Sequence, residues 1–112
     1  MTRERAFQDA LVDYARLRNW RLAHFRPART EKGWRTPMQG DAGFPDLVLL
    51  RAPRLVFAEL KSDTGRLTPA QREWIDELAR QRDAWDVLDP HPPVEVYVWR
   101  PGDWPRIEEV LR

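Results

Sequence analysis

Asp46, Glu59 and Lys61 set two carboxylates and a lysine at the borders of two apolar runs. Together they form the charge inventory of a magnesium-dependent phosphodiesterase site. The runs are Asp46-Leu47-Val48-Leu49-Leu50 and Leu55-Val56-Phe57-Ala58-Glu59-Leu60-Lys61, joined by Arg51-Ala52-Pro53-Arg54. Their β-branched, aromatic and leucine content reads as a hairpin. A turn centred between Ala52 and Pro53 sets Asp46 opposite Glu59 and Val48 opposite Phe57. Side chains alternate faces along a strand, so Asp46, Glu59 and Lys61 then share one face.

Like charges directly opposite in a ladder destabilise it, with Cβ atoms about 4.5–5.5 Å apart. A divalent cation compensates well. Mg²⁺ takes oxygen ligands at about 2.0–2.1 Å, is commonly held by one or two carboxylates, and fills its other positions with water and phosphate. Lys61, one pleat further on the same face, can steady an attacking water or neutralise phosphate charge. The same residues also read as a surface salt bridge between Glu59 and Lys61 at the end of an ordinary strand.

The elements around the hairpin alternate helix and strand, without repeats or low-complexity segments. Thr2 can cap a helix running to about Asn19, with Phe7, Leu11, Tyr14 and Ala15 at helical spacing. Glu4 and Gln8 extend the stripe of Leu11 and Ala15, so that end of the helix overhangs a polar site. Glu4 equally suits a first helical turn, where the dipole favours an acid by roughly 0.3–1 kcal/mol. Trp20 to Arg26 reads as a first strand. The polar segment from Pro27 to Gly43 has no periodicity, reads as a long functional loop, and is expected to take its shape on DNA.

After the hairpin, Thr68-Pro69-Ala70-Gln71 is a helix start, with Thr68 as cap, Pro69 in the first position and Gln71 placed for a capping box. Trp74, Ile75 and Leu78 form the buried face of that helix, and Gln71 extends it. Capping accounts for Gln71 on local grounds, with a contact to the site as the other reading. Ala84 to Leu88 reads as a short strand pairing parallel with the hairpin. Val94 to Trp99 reads as another, and Asp103 as the cap of a last helix through Leu111.

The stretch Gly43-Phe44-Pro45-Asp46, then Phe57-Ala58-Glu59-Leu60-Lys61-Ser62, then Gly65-Arg66-Leu67-Thr68-Pro69-Ala70-Gln71 with Trp74 and Leu78, resembles the PD-(D/E)XK nucleases. Within them it is similar to the VRR-NUC, or virus-type replication-repair nuclease, family, from the first helix to at least Leu78. The resemblance implies a restriction-endonuclease-like α/β fold, a mixed sheet flanked by helices. It implies that Asp46 and Glu59 bind metal, with the Leu60 carbonyl as a further ligand, that Lys61 is catalytic, and that Glu4 on the first helix completes the site.

Composition agrees with one such domain over residues 1–112. The chain has 112 residues, 42% of them hydrophobic, with six tryptophans, enough for a single core. It has no cysteine, which excludes disulfides, thiolate zinc sites and a cysteine nucleophile. No apolar stretch approaches the ~20 residues that span a bilayer, and no hydrophobic signal region opens the chain. A soluble protein in the cytoplasm of a bacterial or phage-infected cell is expected, with no membrane partner.

Net charge is only +1, yet Arg16, Arg18, Arg21, Arg26, Arg29, Lys32 and Arg35 crowd the segment before the site. A basic stretch can follow a phosphate backbone, and it can equally be a solvated surface. Arg29, Lys32, Trp34 and Arg35 are the DNA-binding candidates, Trp34 as a stacking platform where the other tryptophans read as core. His24 and His91, the two histidines, give little support for a histidine metal cluster.

The expected activity is hydrolysis of DNA phosphodiester bonds with Mg²⁺, or Mn²⁺ in its place, by a Holliday-junction-resolvase-like or other structure-specific endonuclease. Gln8 and Gln71 are supporting residues. Cutting two strands of a branched DNA needs two sites, so a homodimer is expected, buried through Val94–Trp99 or Asp103–Leu111, where Trp99 and Trp104 are large for exposed positions. The alternative is a non-catalytic DNA-binding or assembly module that keeps the nuclease fold.

Overall fold

The hairpin register follows from its turn. In the computed structural model, which describes residues 3–25, 28–35, 38–84 and 94–112, β4 (Leu47–Arg51) runs antiparallel to β5 (Arg54–Leu60), with Leu47 opposite Ala58, Val48 opposite Phe57 and Arg51 opposite Arg54. The two-residue Ala52-Pro53 turn thus pairs residues as the alternation predicts. β1 (Arg21–His24) adds antiparallel to the free edge of β4, and β6 (Glu95–Trp99) adds parallel to β5, giving a four-stranded mixed sheet in the order β1-β4-β5-β6.

One face of this sheet carries the core. Leu47, Leu49, Val56, Ala58 and Leu60 are buried, and α1 (Arg3–Leu17) covers them with Phe7, Leu11 and Ala15. α3 (Trp104–Leu111) adds Ile107, Val110 and Leu111. Two residues beyond α1 stands Asn19, whose φ of 67° is left-handed. Trp20 N–H donates to Ala15 O and Asn19 N–H to Arg16 O, the pair of bonds that closes a helix and turns the chain inward. Trp20 therefore enters the core, 3% exposed, and β1 starts after it rather than with it.

α2 (Pro69–Asp83) connects β5 to β6 and lies on the opposite face. Its predicted capping box is present, with Gln71 N–H donating to Thr68 Oγ1 at 3.2 Å and Thr68 N–H to Gln71 Oε1 at 2.9 Å. Trp74, Ile75 and Leu78 are half-buried rather than buried. Phe44 is set edge-on to both Phe57 and Trp74, filling the space between α2 and the sheet.

Three other expectations change. The Pro27–Gly43 segment contains a small antiparallel hairpin, β2 (Ala28–Thr30) with β3 (Gly33–Arg35), turning at Gly33 with φ 98°. Strands this short show no alternation in a sequence. The parallel neighbour of β5 is β6; the strand expected at 84–88 falls outside the described residues apart from Ala84, which closes α2 in a turn. Asp103 makes no side-chain cap to α3. Its carboxylate accepts Arg100 N–H at 2.9 Å across the 3-10 turn Pro101–Asp103, because Trp104 and Pro105 already start α3. Among the described residues no helix is long and apolar enough to cross a membrane.

Candidate active site

Asp46 sits one residue before β4, where its carboxylate bridges the two strands. Oδ2 accepts Leu60 N–H at 2.9 Å, and its carbonyl accepts Phe25 N–H at 2.8 Å. Gly43, three residues earlier, runs so close to α2 that an added Cβ would lie 2.4 Å from the Ala70 carbonyl carbon. Its φ of 95° adds a second reason for glycine. The approach to Asp46 is thereby keyed to the first turn of α2.

Glu59, one step on from Ala58 in the ladder, faces the same way as Asp46 and is 1% exposed. Its Oε1 accepts Gln71 Nε2–H at 3.1 Å, while Oε2 is buried with no hydrogen-bond partner. Burial first, then the neighbouring Asp46 carboxylate, push the Glu59 carboxyl up to about 8, and Lys61 offsets this only in part. A carboxylate removed from water beside another carboxylate resists ionisation.

Gln71 holds two positions at once. Its amide oxygen closes the capping box of α2 and its amide nitrogen reaches Glu59. The local and site readings of this residue are both realised, since the cap points the rest of the side chain at the sheet. Lys61 leaves the sheet with its N–H on Trp99 O at 3.0 Å. The next loop is tied down by Arg100, whose Nη1 donates to Ser62 O and Gly65 O, each at 2.6 Å, and by Gly102 N–H on Asp63 Oδ1 at 3.2 Å. Neither anchor has a local sequence signal, because both partners are distant in the chain.

These side chains converge on a cavity of about 220 Å³ lined by Glu4, Phe7, Gln8, Asp46, Glu59, Leu60, Lys61 and Gln71. Asp46, Glu59, Leu60 and Lys61 from the hairpin therefore meet Glu4 and Gln8 from α1 and Gln71 from α2. Glu4 is exposed in the first turn of α1. Among the described residues no three acidic or histidine side chains gather closely enough to form a metal-holding group. Glu4 therefore borders the cavity without joining the two carboxylates.

Lys32 is exposed at the β2–β3 turn. Arg29 and Trp34 pair across that hairpin and Arg35 ends it, but the side chains of these three lie outside the described residues, as does His91. His24 is on β1, opposite Leu47 and away from the carboxylates. Trp99, at 2% exposure, and Trp20 are core, whereas Trp104 is partly buried, edge-on to Phe7 and Tyr14.

No curated protein matches the chain. The model of the VRR-NUC domain matches residues 13–98, a span that contains Asp46, Glu59, Lys61 and Gln71 and the whole four-stranded sheet apart from Trp99. With the mixed sheet and its flanking helices, this makes the chain a member of the VRR-NUC family of nucleases.

Proposed function

We propose that the protein is a metal-dependent endonuclease that hydrolyses DNA phosphodiester bonds. The observation that carries this reading is the buried Glu59 carboxylate with Oε2 unpartnered, facing Asp46 and next but one to Lys61. Leaving a buried carboxylate oxygen without a donor costs about 1–3 kcal/mol or more, and a cation between Glu59 and Asp46 removes that cost. Asp46, Glu59 and the Leu60 carbonyl would hold Mg²⁺, or Mn²⁺ in its place. Such a cation supplies positive charge to the phosphate and acidity to a nearby water.

The chain's own residues do the rest. Lys61 orients the attacking water or neutralises a phosphate oxygen as the P–O bond to the leaving strand breaks. Gln71 fixes the rotamer of Glu59. Glu4 and Gln8 act from the cavity border through water, and the basic Arg29–Arg35 segment, with Trp34, follows the DNA backbone.

A Holliday-junction or other branched substrate requires two such sites, the second from another copy in a homodimer. Incubation with supercoiled plasmid and with synthetic four-way junctions, in Mg²⁺, Mn²⁺ or EDTA, tests the reading. Metal-dependent nicking that Glu59→Gln abolishes is expected. Tight DNA binding without cleavage in any metal would make the protein a non-catalytic module on a nuclease fold.

A further inference from the structure

A second and larger cavity, of about 600 Å³, adjoins the first and shares Glu4 and Phe7 with it. Its apolar lining comes from Ala6, Phe7, Pro101 and Trp104, and its polar lining from Arg3 and Glu4 of α1 and from Ser62, Asp63 and Thr64 of the loop after Lys61. Its volume falls in the ~300–1,000 Å³ range of small-ligand pockets, which are mostly apolar with a few placed polar groups.

The walls are preformed. Trp104 is fixed edge-on by Phe7 at 6.5 Å and by Tyr14 at 5.9 Å between ring centroids. The Ser62–Thr64 wall is tied by Arg100 to Ser62 O and Gly65 O, and by Gly102 N–H to Asp63 Oδ1. A pocket that needs no ordering keeps more of its contact energy for the ligand.

Resting on the nuclease reading of the neighbouring site, we infer that this cavity receives an unpaired nucleobase of the DNA, the one next to the scissile phosphate, stacked against Trp104 and within reach of the Ser62 and Thr64 hydroxyls. Three observations select a base over other occupants. The cavity shares the Glu4 and Phe7 walls with the proposed phosphate site, so a nucleotide there lies within reach of the reacting strand. Ala6, Phe7, Pro101 and Trp104 give it apolar and aromatic surface, which suits a flat π-system, while the Ser62 and Thr64 hydroxyls and the Arg3, Glu4 and Asp63 side chains can read a base edge. A paired base cannot enter, so the pocket favours bulges, flaps and branch points over uniform duplex.

The test measures binding of the full chain in Ca²⁺ by fluorescence anisotropy. One duplex carries a single extrahelical 2-aminopurine, a second carries an abasic bulge at the same place, and a third is fully paired. The base-bearing bulge should bind about tenfold more tightly than the abasic one, the size of one base–aromatic stack, with 2-aminopurine emission quenched. Ala6→Phe places a ring in the cavity from an exposed helix position without removing core, and should bring that ratio close to one. Trp104→Leu, with its fold checked by circular dichroism, should do the same and abolish the quenching.

Equal binding of base-bearing and abasic bulges, or a ratio that Ala6→Phe leaves unchanged, overturns the inference. So does free deoxyadenosine monophosphate binding as tightly as the bulged DNA, which would make this a small-molecule pocket. Plasmid nicking by the same preparation keeps the two readings apart. Nicking without base preference removes only the pocket, and base-selective binding without nicking in any metal removes only the nuclease.

Discussion

Gln71 donates from Nε2 to Glu59 Oε1 at 3.1 Å while its own Oε1 accepts Thr68 N–H at 2.9 Å, so one amide couples the start of α2 to the most buried carboxylate of the sheet. The two roles separate by mutation. Thr68→Ala removes the hydroxyl cap and should cost about 1 kcal/mol of stability with little change in catalysis. Gln71→Glu keeps an oxygen for Thr68 N–H but withdraws the donor from Glu59 and brings a third carboxylate to the cavity. It should retain most of the helix and lower kcat by about tenfold or more, as expected for loss of one charge-assisted hydrogen bond. Equal effects of the two variants on kcat would show that Gln71 matters only as a cap.

The Glu59 carboxyl, raised from 4.5 to about 8, makes metal-free stability depend on pH with a definite sign. The folded protein holds this proton more tightly than the unfolded chain. Its contribution is therefore complete below about pH 4.5 and is lost as pH rises toward 8. In EDTA, the melting temperature of the wild type should fall between these limits relative to that of Glu59→Gln, and Asp46→Asn should flatten the same slope. Mn²⁺ should raise the wild-type melting temperature most at the alkaline end. Parallel curves for wild type and Glu59→Gln would contradict the facing carboxylates.

How much of this the sequence discloses depends on how local the cause is. The Asp46–Glu59 relationship is readable because a two-residue turn and strict alternation leave one register for Leu47–Arg51 against Arg54–Leu60. The Thr68–Gln71 box is readable for the same reason. The Arg100 ties to Ser62 and Gly65 join residues more than thirty positions apart and leave no local trace. Arg51 and Arg54 look like solvated turn residues, yet both guanidinium groups lie over the Trp20 ring. They reach the last carbonyls of α3, Arg51 to Leu111 and Arg112, and Arg54 to Val110, where the helix dipole favours cations. Only the folded chain brings that helix end to the hairpin turn.

Arg54 also forms a bidentate pair with Glu95, both contacts at 2.8 Å, and Tyr97 donates to the same carboxylate at 2.7 Å. Burial pushes Glu95 up, but the bonds from Arg54 and Tyr97 outweigh it and hold its carboxyl below 4.5. A lowered carboxyl stabilises the fold above its ordinary value, and that stability is lost as the solution is acidified through the folded value. Glu95→Gln should therefore destabilise by about 1–3 kcal/mol at neutral pH, with the difference from wild type shrinking in acid. Urea unfolding at pH 7 and at pH 3 measures it. A deficit that persists undiminished in acid would assign the loss to packing.

Arg100 should behave as a positioning residue for the loop that follows Lys61. Arg100→Ala leaves the Ser62 and Gly65 carbonyls without their donor and should cost about 1–3 kcal/mol. The fall in kcat should exceed any rise in KM, since the phosphate-contacting surface is untouched. Arg100→Lys, with one point charge in place of a planar fork, should recover only part of both losses. Loss of stability with an unchanged kcat would reduce this contact to scaffolding.

Assembly is the last expectation, and the fold moves its location. Trp99 is 2% exposed and cannot carry an interface without unfolding, and Trp104 is partly buried against Phe7 and Tyr14, which leaves it little surface for one. The large apolar side chains that do meet solvent include Phe25 at 40% and Leu50 at 44%. Alternation places both on the sheet face of Asp46 and Val48, Phe25 just after β1 and Leu50 on β4, beside the half that α2 covers. A homodimer seated on this face would bury them and bring a second Asp46 to the same side of the assembly, as cutting two strands would require. Light scattering at micromolar concentration should give a dimer mass, and Leu50→Arg should give monomers that still nick plasmid but no longer cut both strands of a junction. A monomeric wild type, with and without junction DNA, would leave single-strand nicking as the activity.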